Sequence, residues 1–161
     1  MANAVGNRGT VVSICATAQQ PTLTAAQFAA LTYVEICCTE EVPEFSSEAN
    51  MVTSNCISGE RLSWAGADAE SDLEIVYYYQ SSCVGQATLR GLALAKNGQS
   101  YAVKKVLNDG VAGTTTPTTS YALVVLGGFS DGGGGIDDAV MHTVSGSLIQ
   151  GPVFVAPTPI S

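Results

Sequence analysis

The sequence predicts a mainly β protein. Two packed antiparallel sheets, sandwich or barrel-like, are expected, with one flanking α-helix at about 83–96 and a short helix at about 25–30. Three observations predict this. About eight runs of strand composition are separated by Gly, Pro, Asn and Asp. One long segment, by contrast, changes to helical spacing. The length of 161 residues suits one domain, 1–161, that buries its core without needing disulfides.

Taken in order, residues 1–8 are small and polar and are expected to be loose. Residues 9–18 alternate, with Val12, Ile14, Ala16 and Ala18 on one face, and read as a strand ended by Gln19, Gln20 and Pro21. Thr24 and Gln27 fit a capping box, so a short helix should carry Phe28 and Leu31 inward. Residues 32–38 read as a strand. Val34, Ile36 and Cys38 are expected in the core, and the parity of Glu35 faces water or a neighbouring subunit.

Residues 39–59 form the longest stretch without clear periodicity. A loop of that length is unusual inside a domain. It is either a flexible surface loop or an arm that orders against a partner. Residues 61–65, carrying Trp64, read as a short strand, and Gly66, Ala67 and Asp68 as a turn.

Residues 71–108 form a strand–helix–strand unit around which the chain is organised. Leu73, Ile75, Tyr77 and Tyr79 share one parity and Val76 and Tyr78 the other, as in a strand covered on both faces. Ser81 and Ser82 offer hydroxyl caps, and Leu89, Leu92 and Ala93 make one apolar helical stripe. Lys96 in the last turn suits the helix dipole, and Gly98 suits a left-handed terminal residue. Residues 101–107 return to strand composition.

Asn108, Asp109 and Gly110 mark a turn, and residues 112–119 a Thr-rich loop. A strongly apolar strand follows over 121–129. The four glycines of 132–135 read as a hairpin tip. Residues 139–150 alternate, with Val140, His142, Val144 and Leu148 on one parity, and a last short strand is expected at 152–156.

Charge narrows the function. The formal net charge is -8, and ten of the fourteen acids fall between Glu35 and Glu74, where Arg61 is the only base. A basic groove for specific nucleic-acid binding is therefore absent from the pattern. Charged residues make up only 12% of the chain, so much of the surface must be Ser, Thr, Ala and Gly, which packs against other copies at little desolvation cost.

Five cysteines, odd in number and without a Cys-x-x-Cys, read as buried thiols in a reducing compartment. The N-terminal residues lack the pattern of a signal peptide, and no apolar run is long enough for a membrane helix.

Catalytic chemistry finds little support. His142 is the only histidine and lies on an apolar parity, which suits a core or interface role. The glycine run lacks the Lys and Ser/Thr of a phosphate loop and leads into a strand. The acids beside it, Asp131, Asp137 and Asp138, do not have the spacing of an EF-hand loop. Glu40 and Glu41 on a mobile arm would have no fixed separation for acid–base work. No enzyme, cofactor or metal site is expected.

One resemblance covers most of residues 11–155 in order and spacing. It is carried by residues 21–36 (PTLTAAQFAALTYVEI), the acidic loop after them, Gly59 and Glu60, and residues 73–77 (LEIVY). The Leu-x-x-Leu helix, residues 101–107 (YAVKKVL), and the Tyr121 strand with its Gly-rich turn and last hairpin complete it. Together these resemble the major tail tube proteins of long-tailed, non-contractile (siphovirus-like) bacteriophages.

The resemblance implies a structural virion tail subunit, assembled in the host bacterial cytoplasm. It implies homohexameric rings stacked into a hollow tube, through which viral DNA passes without specific binding. Partners would be further copies of the chain, the tape measure, the tail tip and the tail terminator, with no membrane insertion. The arm between early strands would contact the next ring, which places Glu40, Glu41, Glu44, Phe45, Glu48 and Met51 in that contact. Glu35, Glu60, Asp68, Glu70, Asp72 and Glu74 would be candidates for an acidic lumen lining. Rival readings are a monomeric carbohydrate-type binding module using Trp64 and the tyrosines of 77–79, or another ring-forming tail, capsid or injection-tube component.

Overall fold

A computed structural model describes residues 8–68 and 71–160, the side chains of residues 67 and 68 excepted. The expectation for residues 1–7 and the candidate Glu70 lie outside this range.

The elements follow as β1 (Val11–Ile14), α1 (Ala25–Ala29), β2 (Val34–Glu35), β3 (Ala49–Asn55) and β4 (Arg61–Asp68). Then come β5 (Ser71–Tyr78), α2 (Val84–Ala95), β6 (Ser100–Val106), β7 (Thr119–Asp131) and β8 (Met141–Val155). The mainly β expectation holds. Six strands make one antiparallel sheet in the order β2-β1-β6-β7-β8-β5, and β3 and β4 make a separate two-stranded sheet.

The six-stranded sheet curls until its two edges are joined through the chain that leaves β2. Tyr78 N–H donates to the Cys38 carbonyl at 3.0 Å, and Glu40 N–H donates to the Val76 carbonyl at 2.9 Å. Residues 38–40 thereby satisfy the edge of β5, which would otherwise present unpaired backbone groups. The turn into this seam puts Cys38 at φ 52, so its side chain is exposed rather than in the core with Ile36.

Inside the curl lie Val12, Ile14, Ile36, Leu73, Ile75, Tyr77, Val103 and Val124, closed by Leu89 and Ala93 of α2. The predicted stripe of α2 is thus the buried one, with Leu92 packed at its margin. A smaller cluster on the other sheet face holds Cys15, Leu23, Phe28, Tyr121 and Leu123 beneath α1. The capping box of Thr24 and Gln27 forms as expected, and Phe28 stacks on Tyr121 with ring centroids 5.2 Å apart. Gln150 Nε2 donates to the Leu23 carbonyl at 2.8 Å and its Oε1 accepts from Leu23 N–H at 2.9 Å, tying the α1 loop to β8.

Several local expectations are corrected. β5 is not covered on both faces: Leu73, Ile75 and Tyr77 are buried while Asp72, Glu74 and Tyr78 are exposed, because they lie on the open face of the sheet, shared with Ser145 of β8. Residues 66–68 continue β4 instead of turning. β2 keeps only two residues, since the chain leaves it for the seam. Cys83, not a serine, occupies the N-cap of α2 and makes no side-chain cap bond; Lys96 is itself the left-handed C-cap at φ 46. Residues 139–150 and 152–156 do not form two strands but one bulged strand, β8, which runs through Gly151 and Pro152.

The cysteines differ most. Cys37 and Cys83 form a disulfide, so two of the five are not thiols. Cys38 is exposed and Cys56 half-buried, leaving Cys15 as the buried thiol among the three free cysteines.

Candidate assembly and channel surfaces

Three surfaces stand out, each built from a strand register. The first is the open face of β5, β8 and the end of β7. Pairing sets Asp72 beside Ser147, Glu74 beside Ser145 and Val76 beside Thr143. The next strand adds Val125 and Gly128 to the same rows. A shallow concavity of about 580 Å³ follows, floored by Ser145, Ser147, Gly127 and Gly128 and edged by Asp72 and Glu74. Gly128 packs under a serine: a Cβ on it would stand 2.0 Å from Ser145 Oγ and would turn that hydroxyl aside, whereas Gly127 has open space. The result is a smooth face of small side chains with carboxylates on its edge.

The second surface is a strap that crosses beside that face. Glu40, Glu41 and Glu44 share a groove of about 540 Å³ with Asp72, Glu74, Met141 and Thr143. Among the described residues, five carboxylates from two separate stretches therefore line one concavity, and neither Lys nor Arg lines it or the shallow face. Such a wall repels polyanions and attracts cations.

The strap is fixed at both ends. At one, the seam bonds hold residues 38–40. At the other, Phe45 is buried and Lys105 Nζ lies 4.7 Å from its ring centre while donating to the Pro43 carbonyl at 3.2 Å. Burial lowers the Lys105 pKa, and the Glu44 carboxylate works against that shift. Tyr78 donates to Glu40 Oε1 at 3.1 Å, and this bond to a carboxylate raises the phenol above its ordinary pKa.

The third surface is the β3–β4 hairpin, which pairs with no strand of the six-stranded sheet. Its register opposes Val52 to Trp64 and Ser54 to Leu62 on one face, and Thr53 to Ser63 and Asn55 to Arg61 on the other. Val52, Leu62 and Trp64 are 41%, 50% and 48% exposed, and Ile57 at the turn is fully exposed. One face of the hairpin is thus an apolar stripe that stays about half exposed among the described residues.

The sequence-predicted residues sort accordingly. The arm of 39–59 is two structures: an anchored strap and the outer strand of a hairpin. Phe45 is packed inside the subunit, so its side chain is not on the arm surface. Met51 lies on the hairpin, 66% exposed, and Glu48 is exposed just before it. Of the six lumen candidates, Asp72 and Glu74 come together, joined by strap acids read as arm residues. Glu35 is exposed on β2 and Glu60 follows the hairpin turn, and neither lines the acidic groove. The Asp68 side chain and Glu70 are outside the described residues.

Sequence reading missed the apolar stripe, although part of its signal was present: Leu62 and Trp64 alternate with Arg61 and Ser63, and pairing sets Val52 opposite Trp64. It also missed Gln86, 2% exposed, whose Nε2 donates to the carbonyls of Cys37 (2.7 Å) and Tyr78 (2.9 Å) while Oε1 accepts from Gln80 N–H (2.8 Å). Among the described residues no group of three or more His, Cys, Asp and Glu side chains is placed to hold a metal ion. His142 is buried among Tyr77, Tyr79 and Phe129 and bonds Asp131 through Nε2 at 3.0 Å.

No family model and no curated protein matches the chain. Solved structures do. A chain of the anti-feeding prophage tube-terminating cap aligns with TM-score 0.70 and 5% identity, covering 97% of this chain and 93% of that one. The SPP1 tail tube aligns with TM-score 0.67 and 12% identity over 94% of this chain and 78% of that one. The tail of an empty gene transfer agent particle, determined with C6 symmetry, aligns with TM-score 0.59 and 11% identity over 95% of this chain and 100% of that one.

The architecture shared with these chains is a curled antiparallel sheet, a flanking helix and an outlying hairpin. More particularly, it is the tail tube fold.

Proposed function

We propose that this chain is a structural subunit of a phage-like tail tube, forming homohexameric rings that stack into a hollow tube for the passage of viral DNA. The observation that carries the reading is the pairing of two features on one tail tube fold. One is the face of small residues edged by Asp72 and Glu74; the other is the apolar hairpin stripe of Val52, Leu62 and Trp64, about half exposed among the described residues.

In this reading the smooth face and the acidic strap line the lumen. DNA carries about one phosphate charge per 1.7 Å of axis and would adsorb to any cationic wall. A wall of Ser, Gly and carboxylate gives it nothing to hold. The hairpin reaches the neighbouring ring, where Met51, Ile57 and Trp64 are buried. A contact that closes by rotation gives a ring, and repetition along the axis gives an open filament. Further tail proteins, namely the tape measure, tail tip and tail terminator, meet the ends and interior of the tube, and the assembled protein resides in the virion tail.

A second reading keeps the tube and changes its setting. A sheath/tube terminator of an extracellular contractile injection system and a type six secretion system protein align with TM-scores of 0.67 and 0.52. A tube of an injection device would carry the same subunit surfaces with another cargo.

The test is negative-stain electron microscopy of the purified chain across a concentration series, with light-scattering mass. Hexameric rings, or hollow tubes that lengthen with concentration, support the proposal. A monomer at all concentrations, unchanged by added tail tips, overturns it.

A further inference from the structure

The barrel seam carries a covalent bond that the non-covalent structure does not need. Cys37 ends the chain leaving β2 and Cys83 is the N-cap of α2, with Cα atoms 6.1 Å apart. The same two segments are already joined by the Gln86 amide, whose Nε2 donates to the Cys37 carbonyl at 2.7 Å, and the Tyr78–Cys38 backbone bond fixes the chain beside them. These contacts bring the two sulfurs together whether or not they are bonded.

We propose that Cys37–Cys83 is a redox-set latch. The subunit folds and closes its seam with both cysteines as thiols, and a small-molecule disulfide such as oxidised glutathione then makes the closure covalent. This inference concerns the subunit alone and holds whether or not the tube reading does.

The chemistry follows from placement. Cys37 is half-buried and Cys83 only 5% exposed, so Cys37 is the sulfur that an outside disulfide reaches. The Cys37 thiolate attacks one sulfur of oxidised glutathione, forming a mixed disulfide and releasing one glutathione thiolate. Cys83, as its thiolate, then attacks Cys37 Sγ and releases the second glutathione as thiolate. Two thiols lose two protons and two electrons, and one glutathione disulfide becomes two glutathione thiols. The loop so closed, with a sequence separation of 46, contains the strap, the hairpin and β5. Cross-linking a loop of this size restricts the unfolded chain strongly, so oxidation raises thermal stability while leaving the fold unchanged.

The experiment is a glutathione redox titration of the intact wild-type protein, followed by alkylation and peptide mapping, with circular dichroism and thermal unfolding at each end point. Cys38→Ser is run in parallel to remove the adjacent exposed thiol. The expected result is one two-electron transition confined to Cys37 and Cys83. The folded spectrum should be the same at both ends, and Tm about 5–10 °C lower in the reduced form. Three results would overturn the latch: Cys37 and Cys83 both still thiols under full oxidation, pairing of Cys83 with Cys38, or an unfolded reduced protein. Equal Tm in both forms would do so as well. Cys83→Ser gives the second check, since it should match the reduced wild type in Tm and show no response to glutathione.

Discussion

Gly85 sits against the backbone of Glu35 so closely that a Cβ built on it would stand 1.8 Å from the Glu35 carbonyl oxygen. The first turn of α2 and the short strand β2 meet there without a side chain between them. Gly91, six residues further along the same helix, has nothing within 4 Å of its would-be Cβ. The two glycines should respond oppositely to one substitution. Gly85→Ala must push backbone against backbone and should lower stability by about 2 kcal/mol. Gly91→Ala should raise it by about 0.5–1 kcal/mol, through helix propensity and a stiffer unfolded chain. Denaturant unfolding of both variants measures the contrast.

Gln86 closes the same corner with its amide. Gln86→Ala strands the carbonyls of Cys37 and Tyr78 and the N–H of Gln80 in a buried place, at a cost of about 3 kcal/mol. Hydrogen exchange should locate the damage at the Tyr78 and Glu40 amides, which form the seam. Uniformly faster exchange through the whole sheet would mean that Gln86 supports the core and not the seam.

The hairpin stripe should matter to association and hardly at all to the subunit. Leu62→Ser with Trp64→Ser changes two side chains that are each about half exposed in the subunit, so the free energy of unfolding of the monomer should fall by no more than about 1 kcal/mol. Sedimentation should show loss of rings or tubes. A large drop in monomer stability would mean that the stripe is covered within the subunit.

The acids of the groove should set what the surface repels. Asp72→Asn, Glu74→Gln, Glu40→Gln and Glu41→Gln together remove four of its five carboxylates while keeping size and hydrogen bonding. Duplex DNA, mixed with assembled protein across a salt series, should be excluded by the wild type and retained by the variant most strongly at low salt. Identical exclusion by both would show that the groove faces away from the bore.

Alkaline pH should unfold the subunit. Burial raises the pKa of Tyr33, with the Tyr121 and Cys15 charges adding to it, and burial also raises Tyr121. Burial raises Tyr77 too, against the opposing effect of Arg90. A phenol whose pKa is higher folded than unfolded favours the folded state below the unfolded value of 10.0, and that contribution is lost as pH rises beyond it. Tyrosine absorbance at 295 nm should rise in a late, steep step that coincides with loss of the β-sheet signal. Glu40→Gln should move Tyr78 alone back toward the ordinary range, because that shift comes from the Glu40 carboxylate.

Local sequence signals read well where one residue's neighbours in the chain are also its neighbours in space. The Thr24–Gln27 box, the Leu89–Ala93 stripe and the Asn108–Asp109 turn are of this kind. They failed where distant pairing decides. The strand 71–79 looked buried on both faces because Val76 and Tyr78 are apolar, yet β5 is an edge strand and the open face collects those side chains beside Asp72 and Glu74. Residues 39–59 looked uniform because periodicity is invisible in a strand of seven residues read without its partner. Acid count located the charged region, but which acids converge was set by the seam, which no local pattern encodes. The Cys37–Cys83 pairing is likewise a product of the seam, and an odd cysteine number argued against looking for it.

The isolation of the hairpin from the six-stranded sheet has a kinetic consequence. Two strands on their own are marginal in water, so a lone subunit spends part of its time with this element frayed. In the proposed tube, the first subunits to meet would have to order two such hairpins at once, whereas a subunit arriving at a finished end would meet a surface already in place. Starting is therefore slower than growing. A solution of subunits should wait, then lengthen from few ends, and a trace of sheared fragments should abolish the wait.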